Sequence, residues 1–312
     1  MPELKSDRAS REQRALNSLH GLAVGDAFGE CYFPPNQGLI RSRTLVEGRW
    51  RYTDDTNMAL GIVACLFEHG KIEQDWLAER FAADFDHSRG YGPAMRRLLP
   101  AIKSGGDWRV LSKALFGGEG SFGNGAAMRV SPVGAYFADD LDAVAENARL
   151  SAEVTHAHPA GITGAIGIAL GAALACQREL YGPALLEAIS QRLPVCDVAR
   201  GVNRAAHLIT YSLSERSKVA LAVQALGNGS RISAQDTLPY ALWSASNWLG
   251  PDEETYDEAL WRTVEGLGDR DTTCAMVGGI VAARLGMQVI PTEWLKHAEP
   301  VMPDAWEDVN AD

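Results

Sequence analysis

At 312 residues the chain is long enough for one large domain or two smaller ones, and 46% hydrophobic with 22% charged residues is an ordinary globular composition. The formal net charge of −11 argues against a general nucleic-acid binder, which needs a basic face. The five cysteines form no C-x-x-C pair, and Cys65, Cys176 and Cys274 lie in apolar runs, so reduced buried thiols and a cytoplasmic protein are expected.

In chain order, the charged start MPELKSDRASREQR has no apolar core and does not read as a secretory signal. Ser10 with Gln13 reads as a capping box, followed by Leu16, Leu19 and Ala23 at helical spacing, a run that Gly25 and Gly29 are expected to break. Residues 56–68 form an apolar helix stopped by His69-Gly70, and Leu77, Phe81 and Phe85 make one buried stripe. Gly/Pro-rich pieces near 31–38, 86–93, 117–125 and 131–134 read as loops around a site. Asp140 caps a helix carrying Leu141, Val144 and Ala148. The uncharged run Ala160–Cys176 is Ala/Gly-rich and short for a bilayer span, so it reads as a core helix and no membrane is expected. Its glycines at 161, 164, 167 and 171 predict close approach of a neighbouring helix. Further helices are predicted over 184–193, 197–226, 233–249 and 255–266. No alternating strand pattern stands out. The expectation is an all-α fold: a compact single-domain multi-helix bundle over 10–290, with 1–9 and 291–312 as terminal extensions.

Chemistry is suggested by two acidic clusters, Thr53-Asp54-Asp55-Thr56 and Asp269-Arg270-Asp271-Thr272-Thr273, each directly before an apolar helical run. One Asp at such a junction is an ordinary cap. Paired carboxylates with hydroxyls beside them are the oxygen-rich donors that hard divalent cations require, so the clusters form a metal site if the fold joins them. The loop GGEGSFGNGAAMRVSP at 117–132 can turn backbone N–H groups toward one point, with Ser121, Asn124 and Arg129 as polar handles. It is either a phosphate cradle or a plain loop. SRGYGP at 88–93 is a weaker version. His156 and His158 have no Cys or acid at zinc-ligand spacing. His158 is expected to shape the entry to the next helix. His156 either bonds a ligand or is an interior histidine.

GLAVGDAFGE (21–30), YTDDTNMAL (52–60), RGYGPAM (89–95), GNGAAMRVSP (123–132), THAHPAGITGA (155–165) and GDRDTTCAMVGGI (268–280), in this order, resemble the ADP-ribosylglycohydrolase family. The resemblance implies a compact all-α bundle and a hydrolase that cleaves the glycosidic bond between ADP-ribose and an acceptor, whether a protein side chain or another ADP-ribosylated molecule. It further implies two divalent cations, Mg2+ or Mn2+, on Thr53, Asp54, Asp55, Asp269, Asp271 and Thr272. Asp54 or Asp55 would assist proton transfer. Gly123, Asn124 and Gly125, with Ser121, would form the ADP-ribose loop, His156 would lie near the ligand, and Tyr91 and Gly92 would line the same cleft. A monomer is expected, as is common in the family. Two positions depart from the family pattern. The second acidic motif usually reads D-T-D-T, and Arg270 stands at its first threonine. Serine-specific relatives carry a glutamate where this chain has Phe33, and the nearest acid, Glu30, is the remaining catalytic candidate. Two alternatives are a silent binder of ADP-ribose or of a partner, and a metal-dependent nucleotide phosphohydrolase.

Overall fold

A computed structural model of the chain describes residues 4–247, 249 and 255–301. It contains sixteen α-helices and, among the described residues, no strand beyond two isolated bridges. The helices are α1 (Arg8–Glu30), α2 (Leu39–Ser42), α3 (Asp54–His69), α4 (Gln74–Ala83), α5 (Met95–Lys103), α6 (Trp108–Gly118), α7 (Ser131–Tyr136) and α8 (Leu141–Glu153), followed by α9 (Pro159–Gln177), α10 (Gly182–Arg192), α11 (Asp197–Ile209), α12 (Glu215–Leu226), α13 (Ala234–Asn247), α14 (Tyr256–Glu265), α15 (Arg270–Leu285) and α16 (Thr292–His297).

The organising contact is between α1 and α15, at the opposite ends of the sequence. Gly25 and Gly29 do not break α1, which runs unbroken to Glu30. With Gly21 they form a stripe at every fourth residue, facing α15. A Cβ on Gly21, Gly25 or Gly29 would lie 2.3, 2.2 or 2.3 Å from the carbonyl oxygens of Gly278, Cys274 and Arg270 respectively. The two backbones therefore touch, antiparallel, four residues per step. The helical cost of glycine, roughly 0.5–1 kcal/mol each against alanine, is offset by that contact. The start of α1 also differs from expectation: Asp7 is the cap, accepting from the Ser10 amide at 2.9 Å, in place of a Ser10/Gln13 box.

α9 is the buried core helix, packed against α7, α8, α13 and α15. Its glycines do receive neighbours: Gly164 meets Ala234 and Gly171 meets Leu242, both on α13. Its window is apolar and long enough to pass for a membrane span, yet 78% of it is buried within the fold. His158 caps it, with Nδ1 accepting from the Ala160 amide at 3.0 Å. α3 ends at Gly70 in the left-handed region, and Asp140 caps α8 through the amides of Asp142 and Ala143.

Other boundaries moved. The stretch 197–226 is two helices, because Ser214 caps a new start after the break at Thr210. The 131–134 segment, read as loop, opens α7: Pro132 suits a first helical turn, and Gly134 lies against the Ala169 carbonyl of α9. Phe85 falls beyond α4 and packs against Tyr91 instead of extending the Leu77/Phe81 stripe. Of the expected C-terminal extension, residues 302–312 lie outside the described residues, as do residues 1–3 of the N-terminal one and Trp248 of the predicted 233–249 helix. α16 carries Trp294 into a cluster with Phe28, Trp50 and Trp261, the Phe28 and Trp294 rings stacking at 4.3 Å. This cluster anchors the last turns of α1.

Candidate functional site

The α1–α15 contact brings the end of α1, with Asp26 and Glu30, beside the start of α15, with Asp269, Asp271 and Thr272. The N-terminus of α3 enters the same place because Asp26 caps it from another helix. One Asp26 oxygen accepts from the Thr53 amide (2.9 Å), the Thr56 amide (3.1 Å) and the Thr56 hydroxyl (2.6 Å), and the other lies 2.9 Å from the Thr53 hydroxyl. That hydroxyl is also 3.0 Å from Asp55 Oδ2. Asp26, Asp55 and Asp271 each offer a carboxylate oxygen within 4.8 Å of the others. The two clusters distant in sequence are therefore one cluster in space.

Its electrostatics are strained. Burial, opposed by its hydrogen bonds, pushes Asp26 up to about 6. Burial and then Asp26 push Asp54 to about 7. Burial and the neighbouring carboxylates raise Asp55 and Asp271 well above the usual range. Asp269 is raised by burial although Asn124, Asp271 and Thr272 hydrogen-bond to it. Glu30, at the solvent edge, is raised by partial burial and by Asp26 and Asp269. Asp55 Oδ1 and Asp271 Oδ1 are buried without a hydrogen-bond partner. Buried repelling carboxylates, nearby hydroxyls and two orphaned oxygens are the donor set of a hard divalent cation.

The adjacent Arg270 feels the Asp271 and Asp269 charges but makes no direct hydrogen bond to either carboxylate. The Arg270 guanidinium turns away, donating to Gln37 Oε1 at 3.1 Å and lying 4.8 Å from the Phe33 ring centroid.

The glycine loop meets the cluster through Asn124, whose amide donates to Asp269 Oδ2 at 2.7 Å and to the Thr237 hydroxyl at 3.1 Å. Ser121 Oγ accepts from the Gly123 amide at 3.2 Å, and the loop is clamped at Gly123 against Ser233. Gly125 packs closely on His156: a Cβ there would sit 3.1 Å from Nε2, and the ring would have to give way. His156 is buried beside the loop with Nδ1 2.8 Å from the Thr155 hydroxyl, and burial followed by the Arg129 charge lowers it to about 3, so it is neutral. Ser121, Gly123, Asn124, Gly125 and His156 thus form one unit against Asp269.

Three predicted residues stand elsewhere than expected. Arg129 is no handle in the loop: it is wholly buried, donating to the Ser151 carbonyl and the Thr155 hydroxyl, under the Phe81 ring. Within the loop, Asn124–Ala126 form a 3-10 turn. Tyr91 is buried, its hydroxyl donating to Asn57 Oδ1 at 2.5 Å. Gly92 is exposed with open space around it, and Gly90 is the glycine beside the cluster, its would-be Cβ 3.7 Å from Asp54 Oδ1. The main omission from sequence is Asp26. Its signal was a carboxylate inside the otherwise apolar stretch GLAVGDAFG.

Two cavities flank the cluster. One of about 360 Å3 is lined by Glu30, Phe33, Tyr52, Thr53, Arg89 and Asp271. Another of about 690 Å3 lies beyond the glycine loop, lined by Phe122, Asn228, Ser230, Arg231 and Asp236.

A family profile described as ADP-ribosylglycohydrolase matches residues 7–311. The ADP-ribosylhydrolase ARH3 of Xenopus tropicalis is 33% identical over 333 aligned positions, covering 93% of this chain and 92% of that protein. The human ADP-ribosylhydrolase ARH3 is 31% identical, covering 80% and 74%. Among solved structures, an ADP-ribosylglycohydrolase-related protein complex superposes with a TM-score of 0.65 at 26% identity, covering 96% of this chain and 95% of its own. Sequence, fold and the convergence of two acidic motifs agree: the chain belongs to the ADP-ribosylglycohydrolase family.

Proposed function

We propose that the protein hydrolyses the glycosidic bond between ADP-ribose and an acceptor, a protein side chain or a small molecule, releasing free ADP-ribose. The observation that carries this reading is the Asn124–Asp269 hydrogen bond, which ties a phosphate-suited glycine loop to a buried acid cluster. A diphosphate on the loop amides would leave the ribose at the carboxylates. The nucleoside would extend toward Phe122 and the larger cavity.

Asp26, Asp55 and Asp271 would hold a divalent cation, and Asp54, Asp269, Thr53 and Thr272 complete the donor set for a second. Mg2+ or Mn2+, when bound, neutralises the carboxylates, orients ribose hydroxyls and makes a nearby water more acidic. The chain's own groups do the rest. Water adds its oxygen to the anomeric carbon as the bond to the acceptor breaks. A carboxylate takes the water's proton, and the departing heteroatom gains one. Asp54, placed beside the proposed cations, is the candidate to take the water's proton. Glu30 faces the smaller cavity and is the candidate donor to the acceptor. The surrounding negative charge favours an oxocarbenium-like transition state.

Hydrolysis in heavy-oxygen water tests this. The label should enter the anomeric hydroxyl of ADP-ribose. Label in phosphate would make the protein a nucleotide phosphohydrolase, and ADP-ribose binding without any labelled product would make it a binder.

A further inference from the structure

Phe33 and Arg270, far apart in sequence, touch each other. Phe33 lies in the turn after α1, and Arg270 opens α15, where it is buried. Its guanidinium carbon lies 4.8 Å from the Phe33 ring centroid, within cation–π range. The same group donates to Gln37 Oε1 at 3.1 Å and to the Gly268 carbonyl at 3.5 Å. It thereby grips both the ring and the far end of the 31–38 loop. The loop supports the grip from within: Asn36 donates through its backbone to Phe33 and through its side chain to Cys31.

Phe33 is also a wall of the 360 Å3 cavity beside Glu30 and Asp271. That cavity shares Thr53 and Asp271 with the acid cluster and no residue with the glycine loop, which approaches from the Asp269 side. With ADP-ribose on the glycine loop, the group beyond the anomeric carbon would enter this cavity.

We infer that Arg270 is a positioning residue that holds the Phe33 ring as the wall of the acceptor half of the cleft, and that the pair sets which acceptors are cleaved. This rests on the hydrolase reading above. Arg270 acts through Phe33, since its terminal nitrogens donate to Gly268 and Gln37 and to no carboxylate.

The test compares wild type with R270T, F33A, F33Y and the R270T/F33A double variant. Three quantities are read: the ratio of kcat/KM for arginine-linked against serine-linked ADP-ribose, the Kd for free ADP-ribose, and hydrogen exchange of amides 31–38. R270T and F33A should each shift the ratio about tenfold in the same direction, with the double variant no further than either alone because the residues act as one unit. F33Y should keep the wild-type ratio. R270T should speed exchange in 31–38, and the Kd for ADP-ribose should stay within about twofold, below the 1.4 kcal/mol that a tenfold change represents. An unchanged ratio with faster exchange would reduce Arg270 to a loop brace and overturn the inference. A Kd that weakens as much as the ratio shifts would overturn it too, placing the effect of Arg270 on the cluster. If wild type releases ADP-ribose from neither linkage nor from a small-molecule ADP-ribosyl substrate, the hydrolase reading itself fails, and the acceptor role falls with it; the exchange data still report whether the brace exists.

Discussion

Asp26 is buried near the end of one helix, yet it accepts four hydrogen bonds from the cap and first turn of another. It therefore orients Thr53 and Asp55 besides lending charge to the cluster. Asp26→Asn keeps the shape but turns an acceptor into a donor facing amides and hydroxyls. Since Asp26 is placed both to hold a cation and to orient the other ligands, divalent-ion affinity or activity should fall by at least the loss of about 10–100-fold seen when an orienting residue is removed. Asp55→Ala, which removes its carboxylate outright, should lose more. Calorimetric titration with Mg2+ and Mn2+ reads both. Asp55→Ala should not lower the melting temperature of the EDTA-treated protein, because it removes one of several repelling carboxylates.

The same repulsion sets a pH dependence. Asp26 and Asp54 rise from 3.8 to about 6 and about 7, so the folded chain keeps protons that the unfolded chain has already released. Stability from this source is complete below about 3.8 and is lost as pH climbs through 6 to 7. In EDTA, the melting temperature of wild type should therefore drop more steeply from about pH 5 to about pH 8 than that of Asp54→Asn, which has one proton fewer to lose. Parallel curves would contradict the assignment. Added Mg2+ should compete with the protons and flatten the wild-type curve.

At the scale of elements, the site depends on the glycine seam between α1 and α15. Gly25→Ala puts a Cβ 2.2 Å from a backbone carbonyl that cannot turn aside. We expect at least about 3 kcal/mol of destabilisation, the upper range for overpacking, read by denaturant unfolding. Gly92→Ala, with nothing within 4 Å, should stay within about 0.5 kcal/mol of wild type. Asn124→Ala cuts the tie between the loop and Asp269. Its hydrogen bond to a charged group is of the kind worth about 1.5–3 kcal/mol, so ADP-ribose affinity should fall roughly 10–100-fold if the tie sets the loop's geometry. Sequence revealed these elements unevenly. Capped, strongly periodic stretches such as α3, α8 and α9 stood out. Gly25 and Gly29 misled because glycine is a local helix breaker, and only a partner helix 241 positions away (Gly29 to Arg270 in sequence) makes it favourable. α7 was hidden by Pro132 and Gly134 for the same reason.

For the whole molecule, the acidic motifs were legible as chemistry because four aspartates at helix starts exceed what capping requires. Their meeting was not legible, since it depends on α1 and α15 joining the two ends of the chain. Asp26 was missed for that reason: one carboxylate in an apolar helix has no purpose until Thr53 and Thr56 arrive. The direction of Arg270 was likewise unreadable, because its charge sits beside the acids in sequence while its guanidinium lies against Phe33. What the assembled molecule presents is one acid cluster with a glycine loop on one side and a small cavity on the other. The most direct test of this arrangement is to quantify free ADP-ribose released from arginine- and serine-linked substrates by wild type with Mg2+ or Mn2+, by wild type in EDTA, and by Asp55→Ala. Release from at least one substrate by the cation-loaded wild type alone is predicted; equal release in EDTA or by Asp55→Ala would contradict an acid cluster that works by holding cations.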